Sequence, residues 1–210
     1  MDQTLAWLEA ERLDLAAFLD GLSPAEWAAE SLCPGWTVRD VAAHLTLSTR
    51  VTLPATVKGM IRARGDWDRM TGDMARERAA RFEPAELVAQ IRETAGSSHR
   101  APGAGLLDPL VDTLVHGQDI ARPLGRTRQM PIGPAAAGLD HVRASRFYGA
   151  RKRLRGLRLT ATDTEWSAGD GPEEIRGPIG DLLLIATGRR AGLTGVSGAG
   201  LDRLTAAMQP

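Results

Sequence analysis

Three polar side chains at helical spacing are the residues of this sequence best suited to carry chemistry. Asp112, His116 and Asp119 lie four and three residues apart in DTLVHGQDIARPLG, so on a helix they form one stripe. Apolar residues occupy most other directions of that helix: Leu110, Val111, Leu114, Val115 and Ile120. A carboxylate or imidazole buried in a helical bundle costs several kcal/mol unless it is paired, hydrogen-bonded or bound to a cation.

Spacing alone leaves two explanations of this stripe open. In the first, Asp112 accepts a hydrogen bond from His116 along the helix, and the stripe faces a loop or water. In the second, the stripe binds a metal ion, which needs a third ligand from another helix. His44 is the best candidate for that ligand because it flanks the apolar face formed by Val41 and Leu45. A histidine at the edge of such a face is also commonly structural.

Asp119 and Cys33 each have a functional and a structural interpretation. Asp119 would accept a hydrogen bond from His116 and orient a metal-ligating imidazole, or it would be an acid on the helix surface. Cys33 lies in the turn CPGW with no histidine near it in sequence, which favours a packed, inert thiol over a nucleophile. As the only cysteine, it excludes an intrachain disulfide and a thiolate cluster.

Five arginines follow helices and could grip a carboxylate substrate or the polar groups of a thiol cofactor. They are Arg122, Arg126 and Arg128 after the stripe, and Arg189 and Arg190 near the C-terminus. The structural alternative for each is compensation of the negative end of the helix dipole.

Composition limits the class of partner. The 210 residues carry 26 Lys+Arg and 26 Asp+Glu, a formal net charge of +0, which argues against nucleic acid or an anionic membrane and favours a small or neutral ligand. The first residues carry acids where a signal peptide needs bases, and no segment reaches the roughly 18 apolar residues of a membrane span. We therefore expect a soluble, cytoplasmic protein.

Helical periodicity accounts for most of the first 150 residues. Leucines at positions 5, 8, 15, 19 and 22 predict a first helix that ends near Gly21. Further helices are predicted from Thr37 through a kink at Pro54, and over residues 83–96, 110–121 and 135–148, with a short helical turn at Trp27. The polar segment RARGDWDRMTGDMARERAARF predicts only the end of the second helix and a loop or short helical piece.

After residue 150 the period changes to that of a strand. Leu157, Leu159 and Ala161 alternate with polar residues, and a short strand around Ile175 and helices over residues 179–187 and from Leu201 follow. The predicted class is α+β, with a helical bundle over residues 1–150 and a small α/β domain over residues 151–210.

Three motifs carry a resemblance to a known family. They are CPGWTVRDVAAHL (33–45), DTLVHGQDIARPLG (112–125) and GLRLTATDTEWSAGDGPEEIRGPIGDLLLIATGRR (156–190). On these motifs, and on the helix order between them, almost the whole chain resembles the mycothiol-dependent maleylpyruvate isomerase family. The resemblance implies a DinB-like up-and-down four-helix bundle that binds a divalent metal, followed by a small C-terminal domain similar to sterol-carrier proteins.

The resemblance also implies a metal site. One histidine from the second helix and an acid-x-x-x-histidine pair from a later helix carry over to His44, Asp112 and His116. The acid is usually glutamate in the family, so the shorter Asp112 must approach from a closer backbone or bind through water. Two imidazoles and a carboxylate are typical of zinc with an open coordination position. An arginine of the C-terminal domain takes part in the family's reaction, and we assign this role to Arg189.

The function implied by the resemblance is that of an isomerase or S-transferase. Mycothiol, a low-molecular-weight thiol, would be the cosubstrate, and a small electrophile or unsaturated acid the substrate. We expect a monomer or homodimer without a nucleic-acid or membrane partner. Two alternatives stay open: a metal-dependent hydrolase that activates water, and a non-catalytic ligand-binding or regulatory protein of the same fold.

Overall fold

The computed structural model describes residues 3–209. Its elements in chain order are α1 (Gln3–Asp20), α2 (Pro24–Ala28), α3 (Val38–Leu47), α4 (Leu53–Arg62), α5 (Trp67–Ala79), α6 (Pro84–Glu93), α7 (Asp108–Ala121), α8 (Ile132–Ala144), α9 (Ala150–Arg153), β1 (Leu157–Ala161), β2 (Ser167–Ala168), β3 (Glu173–Gly177), α10 (Ile179–Ala186), a 3₁₀-helix (Arg190–Gly195) and α11 (Leu201–Ala207). The chain divides into two compact units, the first ending at Arg128 and the second beginning at Gln129.

Four helices of the first unit form the predicted bundle. Helix α1 packs against α6 and α7, and α3 packs against the same two helices. Leu8, Leu15 and Leu19 of α1 are buried, as their helical spacing predicts. The bundle thereby brings α3 and α7, which carry the candidate metal ligands, into direct contact.

The start of α3 is fixed by a capping box. Thr37 Oγ1 accepts a hydrogen bond from the backbone N–H of Asp40 at 3.2 Å, and Asp40 Oδ2 accepts one from the N–H of Thr37 at 2.9 Å. Such caps contribute about 1 kcal/mol each to helix stability. The cap sets where α3 begins, and therefore sets the direction in which His44 points two turns later.

The segment between α3 and α6 differs from the prediction. Instead of kinking the second helix, Pro54 lies in the first turn of a separate helix, α4, whose N-cap is Thr52. The polar segment that follows forms the 13-residue helix α5, so the prediction of a loop or short helical piece is wrong. The buried face of α5 contains Gly72, Ala75 and Ala79, small residues that allow close packing on α3 but produce little hydrophobic periodicity.

The second unit combines helices with a three-stranded sheet of order β2-β1-β3. Strand β1 pairs antiparallel with β2 and parallel with β3. Leu157, Leu159 and Ala161 of β1 are buried, which confirms the alternation seen in the sequence. The α+β class is therefore confirmed.

The sequence places a domain boundary after residue 150, whereas the compact units divide after Arg128. Helix α8 groups with the second unit because α10 packs against it. Helix α8 also ends at Ala144, before the predicted end at residue 148, because Ser145 adopts an extended conformation. Within residues 3–209, no helix is both long enough and apolar enough to cross a membrane.

Candidate metal centre

Helix α7 is buried along almost its whole length. From Pro109 to Ala121 every residue is buried except Asp112, whose side chain is 33% exposed. The polar stripe predicted from the sequence therefore runs from a partly exposed carboxylate into the interior of the bundle. Its polar groups need partners there, because an unpaired buried polar group is costly.

His44, Asp112 and His116 converge on one point, as the sequence predicts. His44 Nε2 lies 3.5 Å from Asp112 Oδ2, and His116 Nε2 lies 3.3 Å from Asp112 Oδ1. The two imidazole rings are 5.0 Å apart at an interplanar angle of 72°. Each residue offers one ligand atom, and these three atoms all lie within 4.8 Å of one another.

These donors fit a small divalent cation. A tetrahedral ion with nitrogen and oxygen ligands at about 2.0–2.2 Å separates those ligands by roughly 3.3–3.6 Å. His44 and His116 lie at such distances, 3.5 and 3.3 Å, from different oxygens of Asp112, and one ligand atom from each of the three residues lies within 4.8 Å of the others. Two imidazoles and one carboxylate are also a donor set that zinc and several other divalent metals accept. Metal binding at these residues remains a prediction.

His116 is oriented through its second ring nitrogen. Asp119 Oδ2 lies 2.9 Å from His116 Nδ1, and Asp119 is 0% exposed. A carboxylate acceptor at Nδ1 keeps the proton on that nitrogen and leaves Nε2 directed at Asp112. The position of Asp119 is therefore the one predicted for an orienting residue. The Nδ1 atom of His44 has no hydrogen-bond partner within residues 3–209.

The electrostatics of the cluster favour its charged forms. Burial raises the pKa of Asp112, but the charges of His44 and His116 and their hydrogen bonds outweigh this and hold the pKa well below its usual range. Burial lowers the pKa of His116, but Asp112 and the hydrogen bonds to Asp112, Asp119 and Cys33 raise it well above 6.5. Without a cation, the imidazolium of His116 compensates the buried carboxylates.

The CPGW turn lies against the site, which the sequence did not predict. Cys33 Sγ lies 3.2 Å from Asp119 Oδ2 and 3.6 Å from His116 Nδ1. The Trp36 ring is stacked on His116 at 6.4 Å and 12°, and it meets His44 edge-on at 5.3 Å. Trp36 therefore contacts both candidate imidazole ligands. Cys33 and its partners are more than 80 residues apart in sequence, so no local signal reveals the contact.

Arg12 is a second residue near the site that periodicity did not identify as functional. It is 4% exposed, and its Nη1 donates to the backbone oxygens of Thr94, Ala95 and Ser97 at the end of α6. Burial lowers the pKa of Arg12, and the negative charge of Asp112 acts in the opposite direction. Arg12 thus places a positive charge near Asp112 while it stabilises the C-terminal end of a neighbouring helix.

The arginines after α7 have protein partners. Arg126 donates to Glu26 at 2.6 Å, and Arg122 donates to Gln118 at 3.0 Å. Arg128 is buried and pairs with Glu11 at 2.7 Å. Each of the three arginines therefore has a side-chain partner within the protein.

Arg189 and Arg190 lie at the start of the 3₁₀-helix in the second unit. Arg189 Nη1 donates to the backbone oxygen of Thr187 at 3.2 Å. A role for Arg189 in the reaction remains a prediction.

Fold and side chains together define a two-unit α+β protein whose helical bundle carries a candidate metal centre. Comparison with known proteins is more specific. Residues 8–105 match the model of the family described as mycothiol maleylpyruvate isomerase N-terminal domain. The resemblance to that family is therefore confirmed over residues 8–105, which lie within the first unit.

Relatives and solved structures extend this comparison over most of the chain. Uncharacterized proteins from two strains of Mycobacterium tuberculosis are 28% identical over 222 residues, covering 89% of this chain and 85% of theirs. The crystal structures of the mycothiol-dependent maleylpyruvate isomerase and of a mutant of it superpose with a TM-score of 0.63 at 15% identity. They cover 94% of this chain and 92% of the other. At that identity the similarity concerns the fold alone.

Proposed function

We propose that the protein is a metal-dependent enzyme that uses a low-molecular-weight thiol, mycothiol, in an isomerisation or S-transfer of the maleylpyruvate isomerase type. The observation that carries this proposal is the convergence of His44, Asp112 and His116 in a bundle whose residues 8–105, which include His44, match the N-terminal domain of that family. The first two come from different helices, so their meeting is a property of the fold and not of local sequence.

Each residue of the site would have a defined task. His44 and His116 would hold the cation through Nε2, and Asp112 would supply a compensating negative charge. A zinc ion held there would lower the pKa of an incoming thiol and favour the nucleophilic thiolate near neutral pH. Asp119 would keep the proton of His116 on Nδ1. The exposed third of the Asp112 side chain marks the side from which a small molecule can reach the site.

The thiolate of mycothiol would act as the nucleophile in either reaction. In an isomerisation, its sulfur adds to one carbon of an activated double bond, the resulting single bond rotates, and loss of the same thiolate restores the double bond. In an S-transfer, the sulfur displaces a leaving group and stays on the product. An arginine such as Arg189 would bind a substrate carboxylate, because its planar guanidinium suits bidentate recognition.

A turnover assay tests the proposal. Protein loaded with zinc is incubated with mycothiol and either maleylpyruvate or an electrophilic acceptor, and the thiol and product are quantified. We expect turnover that depends on both metal and thiol and that is lost in His44→Ala. His99→Ala is the matched control, because His99 is exposed and its ring contacts the backbone oxygen of Val51. Turnover that is equal in His44→Ala would contradict the proposal.

One observation favours a second candidate, a non-catalytic ligand-binding protein. Asp112 is already within ion-pair distance of both imidazoles, so the cluster compensates its own charges without a cation. In that case mycothiol would raise the melting temperature of the protein without being consumed. Adding metal would change neither the melting temperature nor the amount of mycothiol.

A further inference from the structure

Cys33 is the one thiol of the chain, and its sulfur shares an acceptor with a candidate metal ligand. Asp119 Oδ2 lies 3.2 Å from Cys33 Sγ and 2.9 Å from His116 Nδ1, so one oxygen is within reach of both donors. Asp119 is 0% exposed, so bulk water does not reach its carboxylate and protein donors set its orientation. The direction of that carboxylate in turn sets the direction of the His116 ring.

The position of the sulfur is fixed by the loop that carries it. The backbone N–H of Leu32 donates to the backbone oxygen of Asp119 at 2.9 Å, which ties the loop to α7. Ser31 Oγ accepts from the N–H of Cys33 at 3.1 Å and lies 2.9 Å from the backbone oxygen of Trp36. Hydrogen bonds of loop residues before and after Cys33 therefore hold its thiol against Asp119.

We propose that Cys33 is a positioning residue of the metal centre, whose thiol donates to Asp119 Oδ2 and fixes the carboxylate that orients His116. The inference rests on the proposed function, since a positioning role needs a metal centre to position. A neutral His116 that presents Nε2 to a cation carries its proton on Nδ1, and Asp119 is the acceptor of that proton. The thiol holds this acceptor in place.

The same three residues suggest a competing arrangement. Sγ of Cys33, Nδ1 of His116 and a carboxylate oxygen of Asp119 also lie within 4.8 Å of one another and could themselves hold a cation. A cation there would displace the proton from Nδ1 and end the hydrogen bond between His116 and Asp119. It would also require Cys33 as a thiolate, which gives cobalt(II) a strong sulfur-to-metal charge-transfer band that imidazole and carboxylate ligands do not give.

Cobalt(II) titrations of the full chain separate these arrangements. We expect Cys33→Ala to bind cobalt about tenfold more weakly than the wild type, at the lower end of the roughly 10–100-fold losses seen for outer-shell residues. Cys33→Ser keeps a donor and should restore most of the affinity. Leu32→Ala is the control for a general disturbance of the loop and should leave the affinity close to that of the wild type, because the Leu32 side chain is exposed and its backbone N–H still donates to Asp119. Equal affinities for Cys33→Ala and the wild type would overturn the proposal.

A double-mutant cycle tests whether Cys33 acts through Asp119. In an Asp119→Asn background, Cys33→Ala should cause little further loss of affinity, because the carboxylate it positions is already gone. Fully additive losses would contradict the proposal. A sulfur-to-cobalt charge-transfer band in the wild type that disappears in Cys33→Ser would also overturn it, since Cys33 would then be a ligand.

A measurement without metal separates this inference from the proposed function. If the wild type binds no cobalt, the proposed function fails, and NMR of the His116 ring nitrogens still reports the contact. Cys33→Ala should then shift the Nδ1–H resonance, and Cys33→Ser should shift it less. An unchanged resonance in Cys33→Ala would contradict the positioning role on its own.

Discussion

Asp112 is the residue on which the site depends most directly, because both imidazoles face its carboxylate. His44 approaches one oxygen at 3.5 Å and His116 approaches the other at 3.3 Å. Removing the negative charge would leave two imidazoles without their shared anion, whether or not a cation is bound. The side chain is 33% exposed, so a longer carboxylate has room to adjust.

We therefore expect Asp112→Glu and Asp112→Asn to have opposite effects on metal content. Asp112→Glu keeps the carboxylate and should retain stoichiometric metal, whereas Asp112→Asn keeps the size and should lose it, because a neutral amide oxygen is a weaker ligand for zinc. Metal content after gel filtration measures both. Asp20→Asn, an exposed change at the end of α1, is the control. Metal retained in Asp112→Asn would show that this carboxylate is not a ligand.

Changing Asp119 to Asn tests the orienting role. The loss of the charged acceptor at His116 Nδ1 should weaken metal binding by about 10–100-fold, because outer-shell partners of ligating histidines have effects of that size. Competition with a chromophoric chelator gives the dissociation constant. If Asp119→Asn binds metal as tightly as the wild type, His116 does not depend on this hydrogen bond.

At the residue scale, the sequence predicts which polar side chains come together better than it predicts their surroundings. His44, Asp112, His116 and Asp119 were selected from helical spacing and motif, and the fold brings them together. The lack of a nearby histidine in sequence favours a packed, inert thiol at Cys33, and it gives no sign of the contact with Asp119, 86 positions away. Contacts between distant segments are set by tertiary packing and leave no periodic signal.

At the scale of elements, α7 has a glycine, Gly117, where the side chain of Arg128 packs across the helix. A Cβ at Gly117 would lie 2.6 Å from Nη1 of Arg128. The arginine cannot easily move away, because it is 7% exposed and pairs with Glu11 at 2.7 Å and with Asp14 at 2.8 Å. Glycine is a weak helix former, but its lack of a side chain at position 117 leaves room for the ion-paired guanidinium of Arg128.

Gly117→Ala should therefore destabilise the protein. Overpacking costs about 1–3 kcal/mol, which should exceed the gain of about 1 kcal/mol that alanine usually brings over glycine inside a helix. Urea unfolding measures the difference. The control is Gly21→Ala, where the added Cβ would meet only the Phe18 backbone oxygen, at 3.6 Å. A Gly117→Ala protein as stable as the wild type would show that Arg128 moves aside freely.

Elements with a leucine or β-branched pattern were predicted well, and α5 was not. The buried face of α5 consists of Met70, Gly72, Ala75 and Ala79, mostly small residues that allow close packing on α3 but give a weak hydrophobic pattern in the sequence. Its N-cap, Asp66, accepts from the N–H of Arg69 at 2.9 Å. This cap, Asp68 in the first turn and Arg76 and Arg78 in the last turn are local signals of the helix in the sequence.

At the scale of the whole molecule, the charges of Asp112 and His116 make the stability of the fold depend on pH. Without metal, the pKa of His116 is raised above 6.5, so its contribution to stability is fully present below that value and is lost as the pH rises through the raised pKa. The pKa of Asp112 is lowered below 3.8, so its contribution is present above 3.8 and is lost as the pH falls through the lowered pKa.

The melting temperature of chelator-treated protein should therefore fall as the pH rises from mildly acidic to alkaline values. His116→Gln removes the titrating imidazole and should flatten this part of the profile. Differential scanning calorimetry of both proteins over the same pH series makes the comparison. Parallel profiles would show that His116 is not charged in the folded, metal-free protein.

The domain boundary predicted from the sequence and the division into compact units fall at different positions. The change of period after residue 150 marks the first strand, but α8 packs with α10, so the second compact unit begins at Gln129. A helix that belongs to a later unit has the same periodicity as one that belongs to the bundle. Only its contacts decide the grouping.

Metal stoichiometry is the most direct test of whether His44, Asp112 and His116 together bind a divalent ion. The metal content of protein purified without chelator is measured for the wild type, His44→Ala, His116→Ala and the control His99→Ala. We expect one divalent ion per chain in the wild type and the control, and little or none in the other two. A folded wild type without metal, or an ion retained in both His44→Ala and His116→Ala, would contradict this expectation.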